Sequence, residues 1–297
     1  MTGAERGFLL LSSHLGDPGR RPLTVSQMRT LADRMAYAER KPEERDLLPE
    51  DLIALGFGAD MAKRILTLLS QEDVLDHYLR RAGILGCVPV TRVSDGYPFH
   101  LRKRLGLDSP GVLWARGNVD ILQQPMVSLV GSRELREENW RFAAEAGRQA
   151  ALQGYVLVSG NARGADRTAQ ESCLEARGRV ISVVADELWK QPVRENLLYL
   201  SEDDYEASFS TSRALSRNRV IHALGLKTFV AQASLHTGGT WDGTVKNLQN
   251  RWSDVYGFRD GSKAMQELEQ MGLEPIGMEE LSDFYSLSKC EENIFDR

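Results

Sequence analysis

The 297-residue sequence has few cysteines and no long hydrophobic run. Its three cysteines, Cys87, Cys173 and Cys290, lie far apart and form no CxxC pair, so we expect neither a disulfide framework nor a zinc site. No segment approaches the ~18 consecutive apolar residues that a membrane span needs. The apolar run at residues 8–11 is too short for a signal peptide. These absences predict a cytoplasmic protein with no membrane partner and no metal site.

The sequence also lacks the motifs of several enzyme classes. It has neither the GxGxxG dinucleotide pattern nor the GxxxxGK[ST] P-loop, which argues against an NAD enzyme and against an ATPase. Its five histidines form no HxxxH or HExxH pair. Neither Ser132 nor Ser159 has an evident histidine partner for nucleophilic catalysis. We therefore expect no catalytic residues and no cofactor.

The charge balance leaves room for a nucleic-acid partner. The formal net charge is −5, from 37 basic and 42 acidic residues, which argues mildly against a protein coated in positive charge. The acidic excess lies at one end, because residues 251–297 hold 5 basic and 11 acidic residues. Residues 1–250 are therefore almost balanced, and a local basic groove is compatible with the composition.

Residues 1–85 predict a small all-α module of the SAM or helix-hairpin-helix kind. Residues 1–23 show no clear period, whereas apolar spacing predicts helices at residues 26–40, 47–55, 59–69 and 71–82. Gly56 and Gly58 form the turn between two of them. Hairpins of this kind can present backbone amides to a phosphate, although a packing role is the simpler interpretation.

From residue 86 the pattern changes to apolar strands that alternate with helices. Strands are predicted at residues 87–92, 111–115, 126–130, 155–158, 179–185, 226–233, 254–258 and 274–276. Helices are predicted at residues 99–105, 137–153, 166–176, 243–250 and 262–271. This alternation predicts an α/β domain over residues 86–280, with a mostly parallel sheet and helices on both faces. Residues 281–297 are expected to form an acidic C-terminal tail.

Four segments carry residues suited to binding phosphate, and the pattern predicts that each lies at the carboxyl end of a strand. Glycine lets a ligand approach backbone amides, and arginine offers a forked donor to phosphate. Each segment alone is a weak signal, but four that converge at one sheet edge predict a phosphate-binding surface. The candidate residues are Gly131, Ser132 and Arg133; Ser159, Gly160, Arg163, Gly164 and Asp166; Arg217, Asn218 and Arg219; and Gly238, Gly239 and Thr240.

Several segments match one known family in the same order along the chain. Residues 127–133 form its first strand and loop, residues 158–166 follow its SGxARGxD pattern, and residues 216–221 follow its RNR-I segment. Residues 95–98, 110–118 and 261–263 match as well. Together these motifs resemble the DprA family of DNA-processing proteins over about residues 45–280. Motifs in register are a more specific signal than any single loop.

The resemblance implies a Rossmann-like domain and a protein that is not an enzyme. It implies binding and protection of single-stranded DNA, assistance to RecA loading in DNA uptake and recombination, and a homodimer formed through the Rossmann-like domain. The candidate residues of the first three segments match the family's loops. Trp241 is expected either to stack on a base or to pack in the core.

The sequence also departs from the family pattern. Gln170 stands where the family usually has histidine, residues 237–244 are unlike the usual loop, and residues 214–216 replace the usual Phe-Pro. The chain is expected to be a divergent member without a C-terminal winged helix. Two alternatives stay open. One is a sensor of a nucleotide-derived small molecule, as in phage defence. The other is a nucleotide phosphoribohydrolase, whose acid would be Asp166 or Asp242.

Overall fold

The computed structural model describes residues 1–36 and 47–287. The helices formed by these residues are α1 Gly3–Ser12, α2 Val25–Ala36, α3 Pro49–Ala54, α4 Ala59–Leu69, α5 Glu72–Ile84, α6 Phe99–Leu105, α7 Glu137–Leu152, α8 Ala165–Glu175, α9 Thr211–Leu224, α10 Gly238–Asn250 and α11 Lys263–Gln270. The strands are β1 Val88–Thr91, β2 Val112–Arg116, β3 Met126–Val130, β4 Val156–Ser159, β5 Arg179–Val183, β6 Leu197–Ser201, β7 Lys227–Val230, β8 Asp254–Phe258 and β9 Glu274–Ile276. In the described part of the chain, no helix is long and apolar enough to cross a bilayer.

These strands form one mixed sheet in the order β1-β2-β6-β5-β4-β3-β7-β8-β9. All neighbouring strands from β6 to β9 are parallel, and β1 and β2 add an antiparallel pair at one edge. The prediction of an α/β Rossmann-like fold is confirmed. The sheet reverses its winding between β3 and β7, and open parallel sheets bind ligands beyond the carboxyl ends of strands at such a point.

Burial on both faces explains why the central strands read as continuous apolar runs. Every residue of β3 and β4 is buried. Because successive side chains of a strand point to opposite faces, Val127 and Leu129 pack into one cluster, while Met126 and Val130 pack into another. Helices on both faces complete these two clusters.

The N-terminal helices form a layer that packs partly on the sheet. Leu9 of α1 and Tyr78 of α5 belong to the same buried cluster as β3, and the Tyr78 ring lies 5.4 Å from the ring of Trp114 on β2. By contrast, Leu52 of α3 and Ile65 of α4 are buried in a separate small core. The helical N-terminal part was predicted, whereas α1 itself was not.

The C-terminal residues that the structure describes are packed against the core. Phe284 is fully buried, and its ring centroid lies 4.7 Å from that of Phe229 on β7. The division at residues 85 and 280 stays a prediction. Residues 37–46 and 288–297 lie outside the described residues. The end of the helix predicted at residues 26–40, most of the predicted acidic tail and Cys290 therefore also lie outside them.

Candidate functional site

Two loops touch at the carboxyl ends of the neighbouring strands β3 and β4. A Cβ on Gly164 would lie 2.4 Å from the carbonyl oxygen of Arg133 and 2.5 Å from that of Ser132. The backbone N–H of Ala165 donates to the Ser132 carbonyl at 3.2 Å. The structure therefore brings the first two predicted segments together, and glycine at 164 is what permits the contact.

Gln232, in the segment after β7, forms hydrogen bonds with the loop that follows β3. These bonds cross the point between β3 and β7 where the sheet reverses its winding. The Gln232 carbonyl oxygen accepts from the Ser132 backbone N–H at 3.0 Å and from the Ser132 hydroxyl at 3.2 Å. Its side-chain oxygen accepts from the Arg136 backbone N–H at 3.0 Å. Gln232 was not among the residues predicted for the site, because it lies within the strand predicted at residues 226–233. As the first polar residue after the apolar run at residues 229–231, it could have been identified.

Gly160, the residue after β4, lies against two charged side chains. A Cβ on Gly160 would lie 2.4 Å from Asp166 Oδ2 and 2.6 Å from a terminal guanidinium nitrogen of Arg217. Asp166 also accepts from the Ala162 backbone N–H at 3.2 Å, which holds the loop to the first turn of α8. A carboxylate and a guanidinium thus lie directly beneath this loop, and only glycine leaves room for both.

Arg217 is a buried cation at the base of the site. Arg217 is 9% exposed. Its guanidinium donates to the carbonyl oxygen of Val183 at the end of β5. Within the described part of the chain, Arg217 Nε has no hydrogen-bond partner. A buried donor without a partner is costly, so an anion near this nitrogen would be favoured.

The pKa of Asp166 is shifted by its surroundings. Burial raises the pKa of this carboxyl from 3.8 to about 6, although the charge of Arg217 and the Ala162 N–H partly oppose the shift. The folded protein therefore holds this proton more tightly than the unfolded chain does.

Asp166 is expected to make the folded state less stable as the pH rises. Its folded-state pKa lies above the unfolded value, so the contribution of Asp166 to the free energy of unfolding should fall by about 3 kcal/mol between about pH 4 and pH 6. We expect Asp166→Asn to remove this fall, because the amide oxygen still accepts from Ala162 and carries no charge. Urea denaturation of both proteins across this range measures the difference. Parallel pH profiles would contradict the assignment.

Two exposed arginines, Arg133 and Arg163, lie on the two loops above Asp166 and Arg217. Arg163 has a side chain that is 75% exposed, with Glu134 as a 3.6 Å ion-pair partner that is itself 90% exposed. Arg133 is exposed, and it forms no hydrogen bond or ion pair with a residue that the structure describes. Such exposed pairs contribute little to stability. Both guanidiniums are therefore available to a ligand.

The third and fourth predicted segments are not loops. The prediction of a strand-end loop at residues 217–219 was wrong, because these residues lie inside α9. Gly238, Gly239 and Thr240 were also predicted in a loop, and they form the first turn of α10. Both expectations failed because buried polar residues hid the helical period of α9, and paired glycines suggested a turn at the start of α10.

These two helices pack closely against each other. The side-chain amide of Asn218 donates to the Gly239 carbonyl at 3.0 Å, and a Cβ on Gly243 would lie 3.0 Å from His222 Nε2. Arg219 faces away from Arg217 and pairs with Glu202, which follows β6. Of the third segment, only Arg217 reaches the loops of β3 and β4.

Two further candidate side chains lie in the interior. Trp241 is 8% exposed and packs in a core cluster, so the core interpretation of this residue is correct. Gln170 is also buried, and its amide donates to the hydroxyl of Ser159 at 2.7 Å and of Ser182 at 3.3 Å. Gln170 thus joins β4 to β5 behind the site.

Comparison with known proteins agrees with this architecture. The family model for the DNA recombination-mediator protein A matches residues 89–252, which is more than half of the chain. The chain belongs to this family, also called DprA. The resemblance seen in the motifs is thereby confirmed.

Curated DprA relatives match about half of the chain. The DNA processing protein DprA of Bacillus subtilis is 29% identical over 170 residues, which cover 54% of this chain and 56% of the relative. DprA of Streptococcus pneumoniae is 29% identical over 156 residues, which cover 49% and 54%. The chain thus spans about half the length of the curated DprA relatives it matches.

Solved DprA structures share the fold. DprA from Streptococcus pneumoniae superposes with a TM-score of 0.65 at 21% identity, covering 87% of this chain and 97% of that one. DprA from Helicobacter pylori superposes with a TM-score of 0.56 at 20% identity, covering 66% and 94%.

Proposed function

We propose that this DprA-family protein binds single-stranded DNA where the loop of residues 131–133 meets the loop of residues 160–164. The observation that carries the proposal is the arrangement of three arginines there. Arg133 and Arg163 are exposed, and Arg217 is buried beneath Gly160 with an unpartnered Nε. The Helicobacter pylori relative supports it, since that protein is described as binding single-stranded DNA.

The chemistry of the site suits phosphates in series. A single strand presents one phosphate per nucleotide along a flexible backbone, and proteins follow it with cationic grooves. Arginine binds phosphate through two parallel N–H donors. Gly131, Gly160 and Gly164 let the two loops pack closely against their surroundings, which holds Arg133 and Arg163 on the same surface. Beneath the surface, Arg217 offsets the charge of the neighbouring Asp166 carboxylate, so Arg133 and Arg163 can act as the net positive charge of the site.

Ligand length separates DNA binding from the nucleotide-sensor alternative. A thermal-shift series with mononucleotides and with oligothymidylates of increasing length measures this dependence. We expect the melting temperature to rise with strand length until the site is covered, because each added phosphate releases counterions. A full shift with a mononucleotide and none beyond it would support the sensor and overturn the proposal.

The placement of the acids gives no support to a phosphoribohydrolase. Asp242 lies on α10 and pairs with Lys246 at 2.8 Å. Asp166 is enclosed beside Arg217 and Gly160.

Several expectations stay predictions that follow from the family resemblance and the sequence. They are RecA loading, homodimer formation, a role in DNA uptake and recombination, the absence of enzymatic activity and a cytoplasmic location.

Separate replacements of Arg217 and Arg219 on α9 are expected to distinguish the roles of these two arginines. Arg217→Met should weaken single-strand binding by about tenfold or more, because it removes the cation beneath both loops. Arg219→Met should change the affinity less than about twofold, because Arg219 pairs with Glu202 away from the loops. Fluorescence anisotropy gives both affinities, and circular dichroism checks that each variant is folded. Equal losses in the two variants would place the strand elsewhere on α9.

A further inference from the structure

A cavity lies between the N-terminal helices and the β1–β2 edge of the sheet. Its volume is about 540 Å³, which is within the range of roughly 300–1,000 Å³ for small-molecule sites. Residues of α1, α2, α5, β2 and the segment after β6 line it. None of the exposed arginines of the candidate DNA site belongs to the lining that the structure describes, so this is a separate feature of the molecule.

Apolar and aromatic side chains form the walls of the cavity. Phe8 of α1 and Met28 of α2 lie on the helical side, and Val93 and Trp114 lie on the sheet side. Tyr78 of α5 also lines the space, with its ring edge-on to Trp114 at 5.4 Å. Such walls favour a ligand with an apolar body, and aromatic faces attract cations.

Three consecutive acids, Glu202, Asp203 and Asp204, line the same cavity. Asp203 has Arg213 as an ion-pair partner at 3.5 Å, and Asp204 accepts from the Tyr78 hydroxyl. The Glu202 side chain is only 8% exposed; its Oε2 pairs with Arg219. Its Oε1 is buried and has no hydrogen-bond partner within the described residues.

The arginines that line the cavity do not form a hydrogen bond or an ion pair with Glu202 Oε1. Arg92 donates to the Gly106 carbonyl at 2.7 Å. Arg29 lies on the exposed side of α2 and pairs with Asp33 at 3.6 Å. An unsatisfied buried carboxylate oxygen is expensive. Asp204 accepts from the Tyr78 hydroxyl but has no ion-pair partner within the described residues, so a ligand that supplies a donor and a positive charge would be favoured here.

We propose that this cavity binds a small organic cation with an apolar body, such as an arylalkylamine. The ammonium group would donate toward the acids at residues 202–204, and the apolar body would contact Phe8, Met28 and Trp114. This site is independent of single-strand binding.

Isothermal titration with three matched probes tests the choice of ligand. Tryptamine has an indole ring and an ammonium group, indole-3-propionate has the same ring and a carboxylate, and spermidine has the charge without a ring. We expect tryptamine to bind at least about tenfold more tightly than either of the others, because it satisfies both the walls and the acids. Equal binding of tryptamine and indole-3-propionate would overturn the proposal, and so would a lack of tryptamine binding.

Two tryptophan variants on α2 locate the bound probe. Ala32 is exposed and lines the cavity, so Ala32→Trp should obstruct it and weaken tryptamine binding at least about fivefold. Ala36 is exposed on the same helix one turn later and is not among the lining residues, so Ala36→Trp is the matched control. Melting temperatures check that both variants are folded. Unchanged binding in Ala32→Trp would place tryptamine outside the cavity and overturn the proposal.

Discussion

Gly164→Ala is expected to lower the free energy of unfolding by about 3 kcal/mol or more and to abolish single-strand binding. Gly164 has φ +86° and ψ −128°, a conformation that L side chains rarely adopt. The new Cβ would also lie within 2.5 Å of the carbonyl oxygens of Ser132 and Arg133. Relief of this clash requires the two loops to separate, and the proposed site depends on their contact.

Gly154→Ala provides the control for the backbone effect. Gly154 has φ +77°, but a Cβ there would meet no atom within 4 Å. We expect Gly154→Ala to cost about 1 kcal/mol from backbone strain alone and to leave DNA affinity unchanged. Urea denaturation and fluorescence anisotropy measure both properties. Similar stability losses in the two variants, or intact DNA binding in a folded Gly164→Ala protein, would contradict the loop contact.

Removing the two exposed arginines together is expected to have the second large effect. The double variant Arg133→Ala, Arg163→Ala should bind a single strand roughly 10- to 100-fold more weakly, because the proposed site gives each guanidinium a contact to a phosphate. The slope of log affinity against log salt should become shallower by about 1.4, the value for two lost contacts to a single strand. Stability should change little, since Arg163 has only an exposed ion-pair partner and Arg133 has none within the described residues.

Two exposed arginines near the amino ends of the parallel strands, away from the proposed site, provide a charge-matched control. Arg179 is the first residue of β5, and Arg194 precedes β6, so both lie near the amino ends of the parallel strands. Both are exposed. Arg179→Ala, Arg194→Ala removes the same net charge and should leave the affinity within about twofold, apart from the long-range field. Equal weakening in both double variants would indicate nonspecific attraction rather than a site.

Much of the sheet could be predicted from the sequence because its central strands are buried on both faces. The bounds of β3, β8 and β9 were predicted correctly, and α4 and α6 were as well. Continuous apolar runs and regular helical spacing each give a strong local signal. The parallel arrangement followed from the alternation of the two.

Other elements lacked such a signal. The interior face of α9 carries the buried Arg217 and His222, which interrupt its apolar period, so this helix was not predicted. β6 was missed although Leu197–Ser201 is apolar and fully buried, because only a short 3-10 helix, Leu188–Lys190, and no α-helix separates it from β5. A sequence pattern that relies on strand–helix alternation does not detect two adjacent strands.

The site was predictable only in part, for a related reason. The sequence indicated that residues 131–133 and 160–166 would converge, since both follow apolar strands. It did not indicate that Arg217 would be buried beneath Gly160, that Arg219 would pair with Glu202, or that Gly239 would pack against Asn218. These are contacts between distant parts of the chain, and residue type alone does not specify them.

The proposed site at the β3 and β4 loops requires that the protein binds single-stranded DNA. Fluorescence anisotropy with a labelled strand of about 30 nucleotides, at two salt concentrations, tests it most directly. We predict that the protein binds and that its affinity falls steeply as salt rises. A folded protein that does not bind the strand, or that binds it with no salt dependence, would contradict the claim.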